Sequence, residues 1–352
     1  MVSGLVSVII PTYKRPNMLG RAIDSVLEQS YSNIEVIVVD DNSDGDKYRL
    51  ETIQYMERYA DDPRVKYIKH KINQSGSAAR NTGIQNSVGE YIAFLDDDDY
   101  FFKDRVKEAI LFLRNSNVDC GGACCNYVKK YKKKIYKVSK NVGCFDSCYE
   151  LLSAQIDYAA GSTLMIKREV LNKVGLFDVS FKRHQDWEFL IRLFRFYHIE
   201  ILPYVGVVIC ADGIRNTPRT DVLLEVKKKL LQTFVTDIEM LDGQKQVDIY
   251  RVQWKEIIYN YLKEKRYGTA ISFAQKNISW TSFEKKDILN IILSCVVGVI
   301  PSFMIVVYSI YDLKFNRFKK RYYINYIYAI CYYVLVCERY FIESSRSDRK
   351  FT

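Results

Sequence analysis

The feature that most constrains the fold is an alternation in the first 115 residues: short β-branched apolar runs, each followed by a segment with helical apolar spacing. "LVSVII" (5–10) reads as a strand, and after Pro16, a favoured first-turn residue, Met18, Leu19, Ala22, Ile23, Val26 and Leu27 recur on one helical face. "IEVIVV" (34–39) is a second strand, with Ile53, Met56 and Tyr59 marking the helix after it. "VKYIKH" (65–70) precedes a small-residue helix near 75–87, and "YIAFL" (91–95) precedes a helix near 103–115. Strand and helix in strict turn predict an α/β fold: a mostly parallel sheet with helices on both faces. Later the pattern loosens. "NYVKKYKKKIYKV" (126–138) reads as a hairpin with lysines at its tip, "GSTLMI" (161–166) as a strand, "DWEFLIRLFRF" (186–196) as a helix, and "IEILPYVGVVIC" (199–210) as one or two strands. From about 220 to 285 the chain is helical and charged.

With 352 residues and 48% hydrophobic content, the chain buries a large core, and wholesale disorder is excluded. The net charge of +10 favours an acidic partner without choosing among nucleotide, nucleic acid and anionic lipid. The start, "MVSGLVSVIIPTYKRP", lacks the marks of a signal peptide, so the N-terminal part is expected to fold in the cytosol. Nine irregularly spaced cysteines fit a reducing compartment. Cys120, Cys124, Cys125, Cys144 and Cys148 match no pair of zinc knuckles and have no nearby His, so they read as buried free thiols.

In parallel sheets ligands bind beyond the carboxyl ends of the strands. Pro11 to Arg15, Asp40 to Ser43 and Asp96 to Asp99 each follow a strand, so all are expected to line one cleft. Clustered carboxylates repel one another unless cations or donors compensate them, and a divalent metal carrying a phosphate-bearing ligand would do so. Neither GxGxxG after the first strand nor GxxxxGK[ST] occurs, which disfavours a Rossmann dehydrogenase and a P-loop NTPase. In "PTYKRP" the Tyr13 ring is suited to stack on a base, and Lys14 or Arg15 to meet phosphate.

Taken in order, "SVIIPTYKRP", "IEVIVVDDNSDGD", "NQSGSAARNTGIQNSVGEYIAFLDDDD" and "FKRHQDWEFLIRL" resemble glycosyltransferase family 2, over roughly residues 3 to 210. The resemblance implies a GT-A fold, a nucleotide-diphospho-sugar donor (a UDP-sugar is expected), a Mg²⁺ or Mn²⁺ ion, and single-displacement transfer with inversion. Carried over by position, Asp40 and Asp41 resemble the acids at the donor's base and ribose, and Asp98 of Asp96-x-Asp98 resembles the metal holder. Donor contacts are thus expected from Pro11, Thr12, Tyr13, Arg15, Asp40, Asp41, Arg80, Asp96 and Asp97. Arg80 is also placed to pair with the acidic run. Asp186 resembles the carboxylate that deprotonates the acceptor hydroxyl, although its position equally suits a cap for the helix that follows. Family members commonly have Glu before this Asp; here it is Gln185. His184 reads as a neighbour, Trp187, Phe189 and Phe194 as core, and 160–178 as the acceptor side, with Asp178 closing a turn.

Residues 288–311 carry no charge and are long enough to cross a bilayer, but Gly298 and Pro301 interrupt them; a basic stretch, a Tyr-rich run and a basic tail follow. Because two spans would put "KFNRFKKR" outside, against the positive-inside bias, peripheral or monotopic attachment by 288–340 on the cytoplasmic face of the membrane is expected, with an ordinary buried helical pair as the alternative. The domain reading is a catalytic domain at 1–215, a helical extension at 216–285 and a membrane-associating segment at 286–352. The expected partners are the nucleotide sugar, a carbohydrate or lipid-linked saccharide acceptor and the membrane surface, with no nucleic acid. Two rivals stand beside this reading. One is a nucleotidyltransferase, the other a non-catalytic scaffold that binds membrane or nucleic acid through its lysines.

Overall fold

The computed structural model describes residues 1–157, 161–211 and 218–277, so the segment 288–340 expected at the membrane lies outside the described residues. The alternation becomes β1 (Val2–Thr12), α1 (Pro16–Leu27), β2 (Ile34–Asp40), α2 (Lys47–Met56), β3 (Val65–Lys69), α3 (Gly76–Gln85), β4 (Gly89–Phe94), the two-residue β5 (Tyr100–Phe101) and α4 (Arg105–Asn115). The second half supplies β6 (Cys120–Tyr131), β7 (Lys134–Val138), β8 (Gly143–Phe145), α5 (Cys148–Leu152), β9 (Leu164–Lys167), α6 (Leu171–Val174), α7 (Gln185–Leu193) and β10 (His198–Cys210). The helices α8 (Thr220–Thr233), α9 (Val235–Glu239), α10 (Gly243–Lys263) and α11 (Tyr267–Asn277) follow.

One mixed sheet runs β3-β2-β1-β4-β9-β6-β10-β5, with β7 beside β6 and β8 beside β10. β1, β2, β3 and β4 are mutually parallel. β9 is antiparallel to both β4 and β6, and β10 is parallel to β6. β6 and β10 therefore point the same way as β1 to β4, and six carboxyl ends share one edge of the sheet. Packing fixes the helices on it. α1 buries Leu19, Ala22, Ile23 and Val26, which join Val6, Val8, Ile10, Val36 and Val38 in the main core. α3 comes unusually close to β1 because residue 83 is glycine: a Cβ there would stand 2.4 Å from Ile9 Cγ2.

The region 199–210 is one strand whose pairing with β6 shifts register across Leu202–Val205, the stretch that holds Pro203. α10 packs on α5, α8 and α11, with Trp254 edge-on to Phe273 at 5.6 Å. Among the described residues no helix is long and apolar enough to cross a membrane. Cys120, Cys124, Cys125 and Cys148 are buried free thiols, as expected, but Cys144 is exposed.

Candidate active site

Three loops meet where β1, β2 and β4 end. The loop after β2 is built around Arg49, a buried guanidinium on α2. Its Nε lies 2.9 Å from Asp40 Oδ2, its Nη1 pairs with Asp44, and its Nη2 donates to the carbonyls of Asp40, Asn42 and His70. Asp40 Oδ2 also accepts from Tyr67 and Oδ1 from the Asn42 amides. Asp41 accepts from the backbone amides of Gln74 and Ser75 and from Asn73 Nδ2, and it lies 2.7 Å from His70 Nδ1. These contacts set both acids, expected at the donor's base and ribose, beneath the loops that border the cleft. Asp40 is 0% and Asp41 3% exposed, and their oxygens are spent on fixing the loops at 40–44 and 73–75.

The acidic run divides in the same way. Asp97 turns inward, accepting from Thr12 Oγ1 at 2.7 Å and from Tyr13 N at 3.3 Å, while Arg15 Nη1 reaches its other oxygen at 2.9 Å. Thr12 and Asp97 are thus buried beneath the cleft, bonded to each other. Burial pushes the Asp97 carboxyl up to about 7, against the pull of Arg15. Asp99 is also buried, accepting from Ser162 Oγ at 2.7 Å and from Cys210 N at 3.0 Å. Asp98 is more open, with Oδ2 2.6 Å from Arg15 Nη1. Burial, with Asp96 nearby, raises the Asp98 carboxyl above its ordinary value, and the same two causes act more strongly on Asp99.

Carboxylate oxygens of Asp96, Asp98 and Asp99 lie within 4.8 Å of one another, the one metal-competent grouping of His, Cys, Asp and Glu among the described residues. These are hard oxygen donors, a set that fits Mg²⁺ or Mn²⁺ and not a thiolate-seeking ion. Sequence reasoning gives Asp99 no role of its own. Its signal would have been its partners, Ser162 in "GSTLMI" and the amide of Cys210 at the end of β10, which reach it only in three dimensions.

Arg80, on α3, joins this cluster to the second half of the site. Its Nη2 donates to Asp96 Oδ1 at 2.7 Å and its Nη1 to Gln185 Oε1 at 2.8 Å. Gln185 opens α7, and Asp186 follows it in the first turn. The cap alternative fails here: the N-cap is His184 in a left-handed conformation, no side chain caps the helix, and Asp186 Oδ1 accepts from the adjacent Trp187 amide, at 3.1 Å. Burial raises the Asp186 carboxyl while the Arg80 guanidinium pulls it down. Pro11, Tyr13 and Arg15 are partly exposed at the rim, and Lys14 Nζ sits 4.9 Å from the Tyr13 ring centre.

The wall behind Asp186 comes from the helices beyond β10. The Trp187 ring centre lies 4.8 Å from that of His184 and 5.9 Å from Lys227 Nζ. Lys227 is 1% exposed, pairs with Glu256 and donates to Gln253, while Lys229 donates to Ser180. Burial beside Lys227 pushes the His184 imidazole down to about 4, so it is neutral near pH 7. Phe189 is core and Phe194 partly buried, and Asp178 closes its turn by accepting from Ser180 N.

A mostly parallel sheet whose carboxyl edge carries an oxygen-rich acid cluster, with a further carboxylate beside it, is the architecture of an α/β enzyme that binds its ligand beyond the strand ends. Comparison with known proteins narrows this. The profile of glycosyl transferase family 2 matches residues 7–175. An uncharacterized glycosyltransferase of Haemophilus influenzae is 32% identical over 191 residues, which is 53% of this chain and 70% of that protein. The amylovoran biosynthesis glycosyltransferase AmsB of Erwinia amylovora is 31% identical over 191 residues, 53% of this chain and 62% of AmsB. Other relatives are much longer than the matched part, which spans 18% of an uncharacterized glycosyltransferase of Rickettsia felis. The fold is similar to that of S. aureus TarS 1-349 in complex with UDP-GlcNAc, with a TM-score of 0.56 and 16% identity over 78% of this chain and 89% of that one. The chain belongs to glycosyltransferase family 2.

Proposed function

We propose that the protein is an inverting glycosyltransferase that moves a sugar from a UDP-sugar to a hydroxyl of a growing surface polysaccharide or lipid-linked oligosaccharide. The observation that carries this reading is the Arg80 bridge, which ties the oxygen-donor cluster at Asp96 to the Gln185–Asp186 start of α7. In a single displacement the donor diphosphate leaves from one face of the sugar while the acceptor attacks from the other. The chain must therefore offer a site for the diphosphate and a base within one cleft. Asp98, with Asp96 beside it at the opening, would hold Mg²⁺ or Mn²⁺, while Asp99 backs them from below. Such an ion, when bound, neutralises charge on the departing diphosphate. Asp186 takes the proton of the acceptor hydroxyl. Arg80 keeps Asp186 ionisable and holds the two halves in register, and Tyr13 and Arg15 border the donor's entry. The UDP-GlcNAc of the TarS complex and the amylovoran role of AmsB support the donor and acceptor classes.

The test is nucleoside diphosphate release from UDP-, GDP- and dTDP-sugars, with Mn²⁺, Mg²⁺ or chelator, for the wild type and Asp98→Ala. Metal-dependent release from one donor, lost in the variant, is expected. Release of pyrophosphate instead would make the protein a nucleotidyltransferase and overturn the reading.

A further inference from the structure

The β6–β7 hairpin takes no part in the site above, yet the strand senses place its tip on the cleft's own edge. β6 runs parallel to β1 and β4, so its carboxyl end at Tyr131 emerges on the edge that carries the acidic run. The hairpin is also tied to that run, since Lys130 Nζ donates to the hydroxyl of Tyr100, the residue directly after Asp99. Every residue of β7 is exposed, including Ile135 at 57% and Tyr136 at 56%, and β7 pairs with β6 alone among the described strands. Between 127 and 140 the sequence has seven lysines and no acid. Lysines alone would guard an open edge strand against pairing with another chain. That purpose does not call for Tyr131, Ile135 and Tyr136 to stand out among them. Aromatic and aliphatic side chains interleaved with lysines suit the boundary between phosphate headgroups and acyl chains, where the ring and stem are buried and the ammonium stays wet.

We propose that the β6–β7 hairpin docks the protein on a bilayer carrying anionic phospholipid, which sets the open edge of the cleft beside the lipid plane. Lys132, Lys133 and Lys134 supply the attraction, while Ile135 and Tyr136 enter the interface. Lys137 pairs with Asp157 at 2.7 Å and Lys132 Nζ stands 5.5 Å from the Tyr131 ring centre, so both add to the charge at the tip. This inference does not rest on the transfer chemistry proposed above, and its failure leaves that chemistry untouched.

The experiment is flotation of the full chain with vesicles of equimolar phosphatidylglycerol and phosphatidylcholine, or of phosphatidylcholine alone. The variants are the triple Lys132→Ser, Lys133→Ser, Lys134→Ser and the double Ile135→Ser, Tyr136→Ser. Each lysine near an anionic surface is worth about fivefold in partitioning, so the triple variant should bind anionic vesicles about a hundredfold more weakly. The double variant should lose about tenfold or more. In Tyr136→Trp the new indole should be quenched by brominated lipid. Binding equal to wild type in both variants would overturn the proposal, as would equal wild-type binding to neutral vesicles or an unquenched indole. Loss of binding to a soluble polyanion such as dextran sulfate, with vesicle binding intact, would equally overturn it and assign the hairpin to an anionic polymer.

Discussion

Asp186→Asn separates the chemical step from everything else the site does. The side chain keeps its shape, and an amide oxygen can still accept from the Trp187 amide as Oδ1 does at 3.1 Å, so α7 should start where it does now. What disappears is the proton acceptor. Loss of a positioned general base lowers the rate about 10²- to 10⁴-fold, or about 2.7 to 5.4 kcal/mol at about 1.36 kcal/mol per decade. The pH dependence gives an independent reading. Burial raises the Asp186 carboxyl, and only its ionised form accepts a proton. The wild-type rate should therefore fall about tenfold per unit as pH drops below that raised pKa, and the variant's residual rate should lack this acid limb. The assay is single-turnover transfer from labelled donor across pH, beside calorimetric titration with nucleoside diphosphate and metal. Turnover within about tenfold of wild type would refute the base assignment. A parallel loss of nucleotide affinity would do so as well.

Two further outcomes are expected. Arg49→Met would leave Asp40 buried without its cation and three carbonyls without their donor, a loss of about 3 to 5 kcal/mol in urea unfolding; a loss below about 1 kcal/mol would show that the loop after β2 does not depend on this pairing. Gln185→Glu would place a second carboxylate on Arg80 and weaken its pull on Asp186, so the acid limb of the rate profile should move to higher pH, cutting activity severalfold on its acid side; an unmoved limb would disconnect Gln185 from the base.

The sheet was legible because period-two and helical apolar patterns are local, and they put β1 to β4, α1, α3 and α4 within a few residues of their observed bounds, whereas α2 begins six residues before its first marker, Ile53, and ends before Tyr59. The meeting of the three loops was legible too, since it follows from strand direction alone. Which acids face the cleft was not. Asp40 and Asp41 are chemically identical neighbours, and what buries both is a guanidinium from α2 and an amide row at 73–75. No pattern in "VVDDNSDGD" encodes those partners. Likewise Thr12 supports Asp97 only because β1 and β4 lie side by side, with Ile9 opposite Phe94. The bracing of Trp187 by Lys227 joins residues far apart in sequence and on different elements, beyond the reach of any local pattern.

The same contacts explain how one turn tolerates four adjacent carboxylates. Asp97 and Asp99 are drawn inward by hydroxyl and backbone donors, which leaves Asp96 and Asp98 at the opening. Two guanidiniums answer the four acids: Arg80 on Asp96, and Arg15 shared between Asp97 and Asp98. That compensation is incomplete, because burial and mutual repulsion still hold Asp97, Asp98 and Asp99 above the ordinary carboxylate range. A turn serving only to end a strand gains nothing from such a cost, since one aspartate accepting backbone amides would suffice. A hard divalent cation relieves it, by pairing with the oxygens that the arginines and amides leave unneutralised. The raised carboxyls fit the cation-assisted site proposed above, and the shared Arg15 ties its acids directly to the rim at Tyr13 where the donor is proposed to enter.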